Sequence, residues 1–371
     1  MKLSFFIVIF VLFLGLFALV YIKGMHLLPV KPVIRWTFGV SYIFLFLALF
    51  AGLYFEQKLG LSFAKILTFT TYTFLLTVIY MSLSFLLTDL VVLANKFIHF
   101  APTGMLVFRQ WAAVMSLVII AITLVIGNYR FNHPALVHLD LTVENPIQHR
   151  EIRIVMASDI HLGTSIDKKR LHKYVQMINA RKPDLILLAG DITDRSFGPV
   201  MEQKMEEELS QLHARLGVYA ISGNHEFYSG VREEITEYLR AAGINVLHDS
   251  VALVDNSFYL IGREDRTNTH RATLAMLVKG LRHELPRILL DHQPFGLQEA
   301  CDNGIDLQFS GHTHNGQFFP GNLVVGKIFE LGYGYVKKGK THFYVSSGLG
   351  IWGPLYRIGT QSELVEIQLN Y

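Results

Sequence analysis

The hydrophobic pattern divides the chain into two parts. In the first part, four stretches of 20, 20, 23 and 20 residues contain no charged side chain; they are residues 3–22, 36–55, 66–88 and 110–129. A helix of 20 residues is about 30 Å long, which matches the hydrocarbon thickness of a bilayer. Basic residues and aromatic rings stand at the ends of the stretches, as is typical of membrane interfaces. The pattern therefore predicts a membrane domain of four helices over residues 1–130.

Beyond residue 130 the pattern changes to short apolar strands and amphipathic helices. Residues 131–150 are interpreted as a linker and a first strand, with period-two alternation over 137–143, and 152–156 is predicted to be the neighbouring strand. Helices are predicted near 168–180, 200–214 and 231–242, and further strands near 185–188, 218–221, 245–247, 258–261, 288–290, 307–309, 343–345 and 364–367. This order predicts an α/β domain over 151–371, with two face-to-face sheets and helices outside.

Charge distinguishes the two parts as well. Residues 1–130 hold nine Lys and Arg and two Asp and Glu, a formal charge of +7, whereas residues 131–371 hold 24 basic and 28 acidic residues, a charge of −4. The acidic balance of the second part gives no indication of a nucleic-acid partner. The single cysteine, Cys301, excludes an internal disulfide and a thiolate metal cluster.

The first part is predicted to be an anchor or a lipid-facing platform, because its charge-free spans lack the ionisable groups of a transporter. Residues 89–109 contain Ala-Pro-Thr-Gly at 101–104 and are predicted to form a broken interfacial segment. Basic residues of the short loops divide four against five, so the positive-inside rule leaves the orientation open. An even number of spans leaves both ends on one side, and we expect a multi-pass protein of the cell (inner) membrane with its second domain in the cytoplasm.

Polar clusters follow five of the predicted strands. They are Asp159-x-His161, Gly190-Asp191-x-x-Asp194, Gly223-Asn224-His225-Glu226, a lone His292, and Gly311-His312-x-His314. Loops beyond strand ends collect ligands in layered α/β domains, because adjacent strands bring distant positions together. A single cluster is more often a turn or a cap. Five in succession indicate one shared site.

The residue types indicate a metal site. Carboxylate, amide and imidazole donors suit Mn²⁺, Fe, Zn²⁺ or Mg²⁺ and do not suit copper(I) or an iron–sulfur cluster. Residues i and i+2 of a strand share a face, so we expect Asp159 and His161 to point the same way, and likewise His312 and His314.

This series of motifs resembles the calcineurin-like metallophosphoesterase superfamily over nearly all of residues 137–371. The resemblance implies an αββα sandwich with two divalent ions, for which we expect Mn²⁺, with Fe, Zn²⁺ or Mg²⁺ as alternatives. It assigns one ion to Asp159, His161 and His314, the other to Asn224, His292 and His312, and a bridging role to Asp191. It also implies that His225 acts beside the leaving group and that Asp194 supports His225.

Several features narrow the resemblance. The four spans, together with the sequences of 224–230, 311–317 and 347–357, are similar to the group of transmembrane proteins with a metallophosphoesterase domain and to UDP-2,3-diacylglucosamine hydrolases. Asn315 and Leu355 depart from the pattern of that group. The resemblance predicts hydrolysis of a phosphodiester or pyrophosphate, lipid-linked or small, at the bilayer. A phosphoprotein phosphatase and a non-enzymatic receptor or scaffold remain alternatives, and the oligomeric state stays open.

Two arginines near the predicted cleft allow two interpretations, as ligands of a substrate phosphate or as residues of a solvated turn. Arg263 and Arg266 lie in a charged turn at 262–266. Guanidinium groups suit the geometry of a substrate phosphate, but a solvated turn would have the same composition.

Overall fold

The four hydrophobic stretches all form helices. The computed structural model describes residues 3–55, 59–100, 105–144 and 151–370, and the chain divides into two compact units, Met1–Ile126 and Gly127–Tyr371. The helices are α1 (Leu3–Leu27), α2 (Pro32–Phe55), α3 (Leu61–Ile98) and α4 (Met105–Asn132). Each helix is long and apolar enough to cross a membrane.

Helix α3 is longer than its charge-free stretch. It has 38 residues and continues through Asp89, where the sequence predicts a broken segment. That prediction is wrong as far as Ile98, and its residues 101–104 lie outside the described part of the chain. The Asp89 carboxylate accepts hydrogen bonds from Lys23 and Arg109. A paired carboxylate therefore lies within the helix, so the end of an apolar stretch did not mark the end of α3.

Aromatic packing holds the helical unit together. Phe17 of α1 is buried, and its ring centroid lies 5.0 Å from that of Phe46 and 5.7 Å from that of Phe74. The Tyr42 hydroxyl donates to the Phe17 carbonyl oxygen at 2.9 Å, which satisfies a buried polar group on α2. These contacts join α1, α2 and α3.

The second unit contains two six-stranded sheets. The strands are β1 (Ala135–Thr142), β2 (Glu151–Ala157), β3 (Leu185–Ala189), β4 (Val218–Ile221), β5 (Asn245–Val246), β6 (Ser250–Val254), β7 (Phe258–Gly262), β8 (Arg287–Leu290), β9 (Leu307–Ser310), β10 (Gly334–Lys338), β11 (Thr341–Val345) and β12 (Glu363–Asn370). The orders are β1-β12-β2-β3-β4-β5 and β10-β11-β9-β8-β7-β6. The prediction that the first two strands are neighbours is wrong, because β12 pairs with both.

Short helices connect most of these strands. They are α5 (Lys168–Asn179), α6 (Gly198–Glu202), α7 (Glu206–Leu209), α8 (Asn224–Tyr228), α9 (Arg232–Ala241), α10 (Leu274–Val278), α11 (Leu297–Asp302) and α12 (Gly321–Ile328). The single helix predicted at 200–214 is two helices, because Lys204 between them has φ +49°. Strands β6 and β10 were not predicted. Both are partly exposed edge strands, so their hydrophobic signal is weak.

The core lies between the sheets. Ile154 and Met156 of β2 pack in one cluster with Leu260 and Phe309 of the other sheet. The opposite face of β2 packs against α5 through Val155. Two sheets with helices outside form the predicted αββα sandwich, and the carboxyl ends of β2, β3, β4, β8 and β9 all lead into the polar motifs.

Candidate metal centre

The structure brings all nine predicted site residues into one cluster. Asp159 and His161 follow β2, Asp191 and Asp194 follow β3, Asn224 and His225 begin α8 after β4, His292 follows β8, and His312 and His314 follow β9. Three groups of side chains in this cluster have ligand atoms within 4.8 Å of one another: Asp159 with His161 and His314, His161 with Asp191 and His225, and Asp191 with His292 and His312.

The backbone that presents these side chains is left-handed and not extended. The φ angles are +53° at Asp159, +54° at His161, +50° at Asp191, +71° at His312 and +49° at His314. Strand alternation therefore does not place the Asp-x-His and His-x-His pairs, contrary to our expectation, because β2 and β9 end before them. Positive φ is uncommon outside glycine, although Asp and His adopt it more readily than most residues, and it clusters at functional sites.

The first group surrounds a small polar space. His161 Nε2 lies 3.1 Å from His314 Nε2, and His314 Nε2 lies 3.4 Å from Asp159 Oδ1. The backbone N–H of His312 donates to both oxygens of Asp159, at 3.0 and 3.1 Å, and so orients that carboxylate. All three side chains are buried.

The group of Asp191, His292 and His312 is built around the Asp191 carboxylate. His292 Nε2 lies 3.2 Å from Asp191 Oδ2, which is 3.9 Å from His161 Nε2, so this carboxylate lies between the two groups. His312 Nδ1 lies 2.7 Å from Asn224 Oδ1. His292 donates its Nδ1–H to the Ala189 carbonyl oxygen at 2.7 Å, leaving Nε2 directed into the site. Metal-binding histidines are commonly oriented by such a bond.

Burial dominates the electrostatics of the first group. It lowers the pKa of His161 to about 4 and holds the pKa of His314 well below the usual value, with further lowering from His161 and Arg357. Burial also lowers the pKa of His312 to about 4. These imidazoles are therefore neutral at pH 7, which is the form that binds metals.

The Asp191–His292 pair behaves differently. Burial opposes the charge on Asp191, but His292, His161 and His225 outweigh it and hold the Asp191 pKa well below the usual value. Burial likewise opposes a charged His292, but Asp191 and Asp159 outweigh it and raise the His292 pKa well above the usual value. Asp191 is therefore the anionic centre of the site.

The residues fit two divalent ions. His161 Nδ1 is buried and has no hydrogen-bond partner among the described residues. Such atoms are rare in folded proteins unless another group completes their contacts. Close backbone approach keeps the space free of side chains: a Cβ on Gly223 would lie 2.2 Å from Asp191 Oδ1, and one on Gly311 would lie 2.3 Å from Asp159 Oδ2.

His225 and Asp194 form a pair at the edge of the cluster. His225 Nδ1 lies 2.8 Å from Asp194 Oδ1, and the backbone N–H of His225 donates to Asp191 Oδ1 at 2.8 Å. Burial opposes the charged ring, but Asp194 and Asp191 outweigh it and raise the pKa of His225. The Asp194 hydrogen bond fixes the ring tautomer, so that Nε2 can exchange a proton with a bound molecule.

Sequence reasoning missed two residues that hold the loops. The buried Glu226 carboxylate accepts from the backbone N–H groups of Asp191, Thr193 and Gly223 at 2.7–3.0 Å, which ties the loops after β3 and β4 together. Arg357 is fully buried and donates to the carbonyl oxygens of His314 at 2.9 Å and Gly350 at 2.7 Å. Both residues lie in segments that carry the family resemblance, Glu226 in 224–230 and Arg357 in 347–357. Their place in those segments was the available sign that they belong to the site.

The two arginines of the charged turn differ in their surroundings. Arg263 is 4% exposed and pairs with Asp291 at 3.2 Å and Glu299 at 2.9 Å, so it is neither a solvated turn residue nor a free phosphate ligand. Arg266 is exposed and stacks over the Phe295 ring, with its Cζ 4.4 Å from the centroid. Its exposure agrees with the interpretation of a solvated turn.

A cleft of about 450 Å³ opens beside the cluster. Its polar lining includes Asp191, His225 and His314 of the cluster and the guanidinium group of Arg195. Its apolar and aromatic lining comprises Tyr228, Phe318, Val325, Phe329 and Trp352. The cleft therefore combines a site for an anion with a hydrophobic wall.

Comparison with known proteins agrees with this architecture. Residues 152–316 match the calcineurin-like phosphoesterase family. A zebrafish (Danio rerio) "Transmembrane protein with metallophosphoesterase domain" is 33% identical over 280 residues, which are 71% of this chain and 63% of that protein. Its bovine (Bos taurus) namesake is 30% identical over 72% of this chain and 64% of its own length. The chain thus spans less than two thirds of these two relatives.

A bacterial relative is covered more completely. An "Uncharacterized metallophosphoesterase" of Campylobacter jejuni is 30% identical over 266 residues, which are 69% of each chain. Residues 152–316, which match the family, contain all five polar motifs. Calcineurin-like phosphoesterases bind two divalent metals. With four membrane-length helices ahead of an αββα sandwich that carries these motifs, the chain belongs to the calcineurin-like phosphoesterase family.

Proposed function

We propose that this protein hydrolyses a phosphodiester or pyrophosphate of an amphiphilic, lipid-linked substrate, such as a UDP-diacylglucosamine-like glycolipid. The observation that carries the proposal is the composition of the cleft, which is lined both by residues of the buried ligand cluster and by apolar and aromatic side chains. A substrate with a phosphate and an acyl chain complements both kinds of lining.

The chain's own residues have distinct roles in this proposal. Asp159, His161 and His314 would hold one divalent ion, Asn224, His292 and His312 the other, with Asp191 shared between them. When bound, such ions supply Lewis-acid activation of water and of the phosphoryl group. His225 would give a proton to the departing oxygen, because Asp194 holds its other nitrogen and favours the protonated ring. Arg195 would orient a phosphate oxygen from the cleft wall.

Helix α12 supports the choice of an amphiphilic substrate. Val325 of α12 lines the cleft, while Leu323, Val324 and Ile328 of the same helix are more than half exposed. Phe319 just before the helix is also half exposed. A run of exposed apolar side chains beside a cleft is typical of a surface that receives a hydrophobic ligand or a lipid.

The test compares two substrates on the full-length enzyme. We expect Leu323→Ser combined with Ile328→Ser to lower kcat/KM at least about tenfold for a UDP-diacylglucosamine substrate in mixed micelles, because each aliphatic side chain contributes about 1.5 kcal/mol or more when buried. The same variant should hydrolyse a short soluble diester at the wild-type rate. Met276→Ser on α10 is the matched control, since Met276 is also more than half exposed but lies outside the cleft lining.

Two results would contradict the proposal. Equal losses on both substrates would mean that α12 supports the fold of the site, and an unchanged lipid rate would mean that the substrate is not amphiphilic. A phosphopeptide included in the panel tests the alternative of a phosphoprotein phosphatase. Absence of turnover on every substrate with metal bound would favour the receptor or scaffold alternative.

We also propose that the helices anchor the protein in the cell (inner) membrane with the second unit on the cytoplasmic side. Four spans bring the chain back to the side on which the first span begins. A Met276→Cys variant tests the orientation, because Met276 is exposed in the second unit. Labelling of this cysteine by a membrane-impermeant reagent reports on which side of the membrane the second unit lies.

A further inference from the structure

The helical unit contains a charged cluster at one end of its spans. Lys23 Nζ lies 2.8 and 2.6 Å from the two oxygens of Asp89, and Arg109 Nη2 lies 3.1 Å from Asp89 Oδ1. Lys23 follows the first charge-free stretch, Asp89 follows the third, and Arg109 precedes the fourth. All three therefore lie at the same boundary of the apolar layer, at the depth of lipid headgroups.

The cluster carries an unbalanced charge. Two cations face one carboxylate, so the net charge is +1, and His26 also lines the cavity of about 290 Å³ that they enclose. The Arg109 Nε atom is buried and has no hydrogen-bond partner among the described residues. One carboxylate therefore leaves part of the donor capacity of these cations available to a second anion.

A second cavity adjoins the first. It has a volume of about 460 Å³, extends between the helices, and shares Leu27 and Phe85 with the charged cavity. Its lining is almost entirely apolar and includes Val78, Met81 and Ala113. The two cavities together present a cationic end at headgroup depth and an apolar end within the bilayer.

We propose that Lys23, Asp89 and Arg109, with the apolar cavity beside them, bind one phospholipid whose headgroup carries a net negative charge. The phosphate of the lipid contacts Lys23 and Arg109, and an acyl chain fills the apolar cavity. Charge complementarity selects an anionic lipid over a zwitterionic one, because the cluster has an excess of one positive charge. The proposal involves no residue of the metal centre and is independent of the catalytic function.

The test measures lipid binding to the purified full-length protein by native mass spectrometry and by thermal stabilisation. Phosphatidylglycerol and phosphatidylcholine with identical acyl chains are the probes, with inorganic phosphate as a third. We expect phosphatidylglycerol to bind about fivefold or more tightly than phosphatidylcholine, since one positive charge near the surface contributes about 1 kcal/mol. Lys23→Gln and Arg109→Gln should each remove most of this preference.

Asp89→Asn distinguishes a lipid site from a structural ion pair. Removal of the carboxylate raises the cluster charge to +2, so phosphatidylglycerol should bind more tightly than to the wild type, even if the variant is less stable. Ala113→Phe, which fills the apolar cavity, should weaken both phospholipids alike. Lys96→Gln is the control, because Lys96 is a basic residue of α3 outside both cavity linings.

Three outcomes would overturn the proposal. The first is equal binding of the two phospholipids to the wild type. The second is a loss of phosphatidylglycerol binding in Asp89→Asn that equals the loss in Lys23→Gln. The third is stabilisation by inorganic phosphate as large as that by phosphatidylglycerol, which would mean that the cluster takes a free anion and the apolar cavity plays no part.

Discussion

His225 is the residue at which catalysis and metal binding can be separated. Its ring is held by Asp194 at 2.8 Å, yet it also lies near enough to His161 and Asp191 to take part in binding an ion. We expect His225→Ala to lower turnover about 10²- to 10⁴-fold, the usual contribution of a general acid, while both metal ions stay bound. Asp191→Ala should lose activity and metal together, because Asp191 lies between the two ligand groups.

Metal analysis and leaving-group dependence decide the role of His225. An ester with a very acidic alcohol needs little protonation, so His225→Ala should slow it far less than an alkoxide ester. Loss of one ion from the His225 variant would instead make His225 a ligand.

Arg357 is a positioning residue for the same site. It donates to the carbonyl oxygens of His314, Gly348 and Gly350, and burial lowers its pKa to about 10, so it remains charged at neutral pH. Arg357→Met should destabilise the fold by about 3 kcal/mol, because it leaves buried carbonyl groups without donors. It should also weaken metal affinity through His314. Urea unfolding and metal titration measure the two effects, and full stability with unchanged affinity would contradict this role.

At the scale of elements, the last turns of α4 belong to the second unit. Phe131 is fully buried there, Arg170 lies over its ring, and Asn128 Nδ2 donates to the Leu355 carbonyl oxygen at 2.9 Å. Phe131→Ala should cost about 3–5 kcal/mol, as expected for a buried aromatic side chain. Hydrogen exchange of β2 amides measures this cost. Tyr129→Ala is the control, because Tyr129 is 61% exposed and should change stability by much less.

This element also affects how the second unit can be isolated. A fragment that begins at residue 135 keeps β1 but loses Phe131 and Asn128, whereas a fragment that begins at residue 127 keeps both. We therefore expect the longer fragment to be the more stable one. Equal stability of the two fragments, together with a neutral Phe131→Ala, would mean that the end of α4 contributes nothing to the sandwich.

For the whole molecule, metal links activity to stability. Ions that bind the folded state alone stabilise it by about 2.7 kcal/mol at a concentration one hundredfold above Kd. Chelation should therefore abolish activity and lower Tm, and we expect Mn²⁺ to restore activity best. The measurement is metal content per chain at saturation beside activity and Tm. Turnover with fewer than two ions per chain would contradict the two-ion assignment.

The sequence by itself determined the larger features of this protein. Four charge-free stretches of bilayer length predicted the four helices, and one period-two run together with short apolar runs predicted ten of the strands, because burial leaves a hydrophobic pattern in the sequence. The nine site residues lie in polar motifs that follow five of these strands, and the family resemblance of the motifs assigned their roles. The types of donor atom then indicated metal chemistry without any coordinates.

Only the tertiary structure decided how those residues meet. β12 lies between β1 and β2 although it follows both by more than 200 residues in the chain, and local pattern carries no information on such pairing. The positive φ angles at Asp191 and His314 are accompanied by long-range contacts: the Asp191 N–H donates to Glu226, and the His314 carbonyl oxygen accepts from Arg357. Arg263 likewise became a buried ion-pair residue only when β8 and α11 brought Asp291 and Glu299 beside it. Long-range contacts set these features, so no short stretch of sequence could determine them.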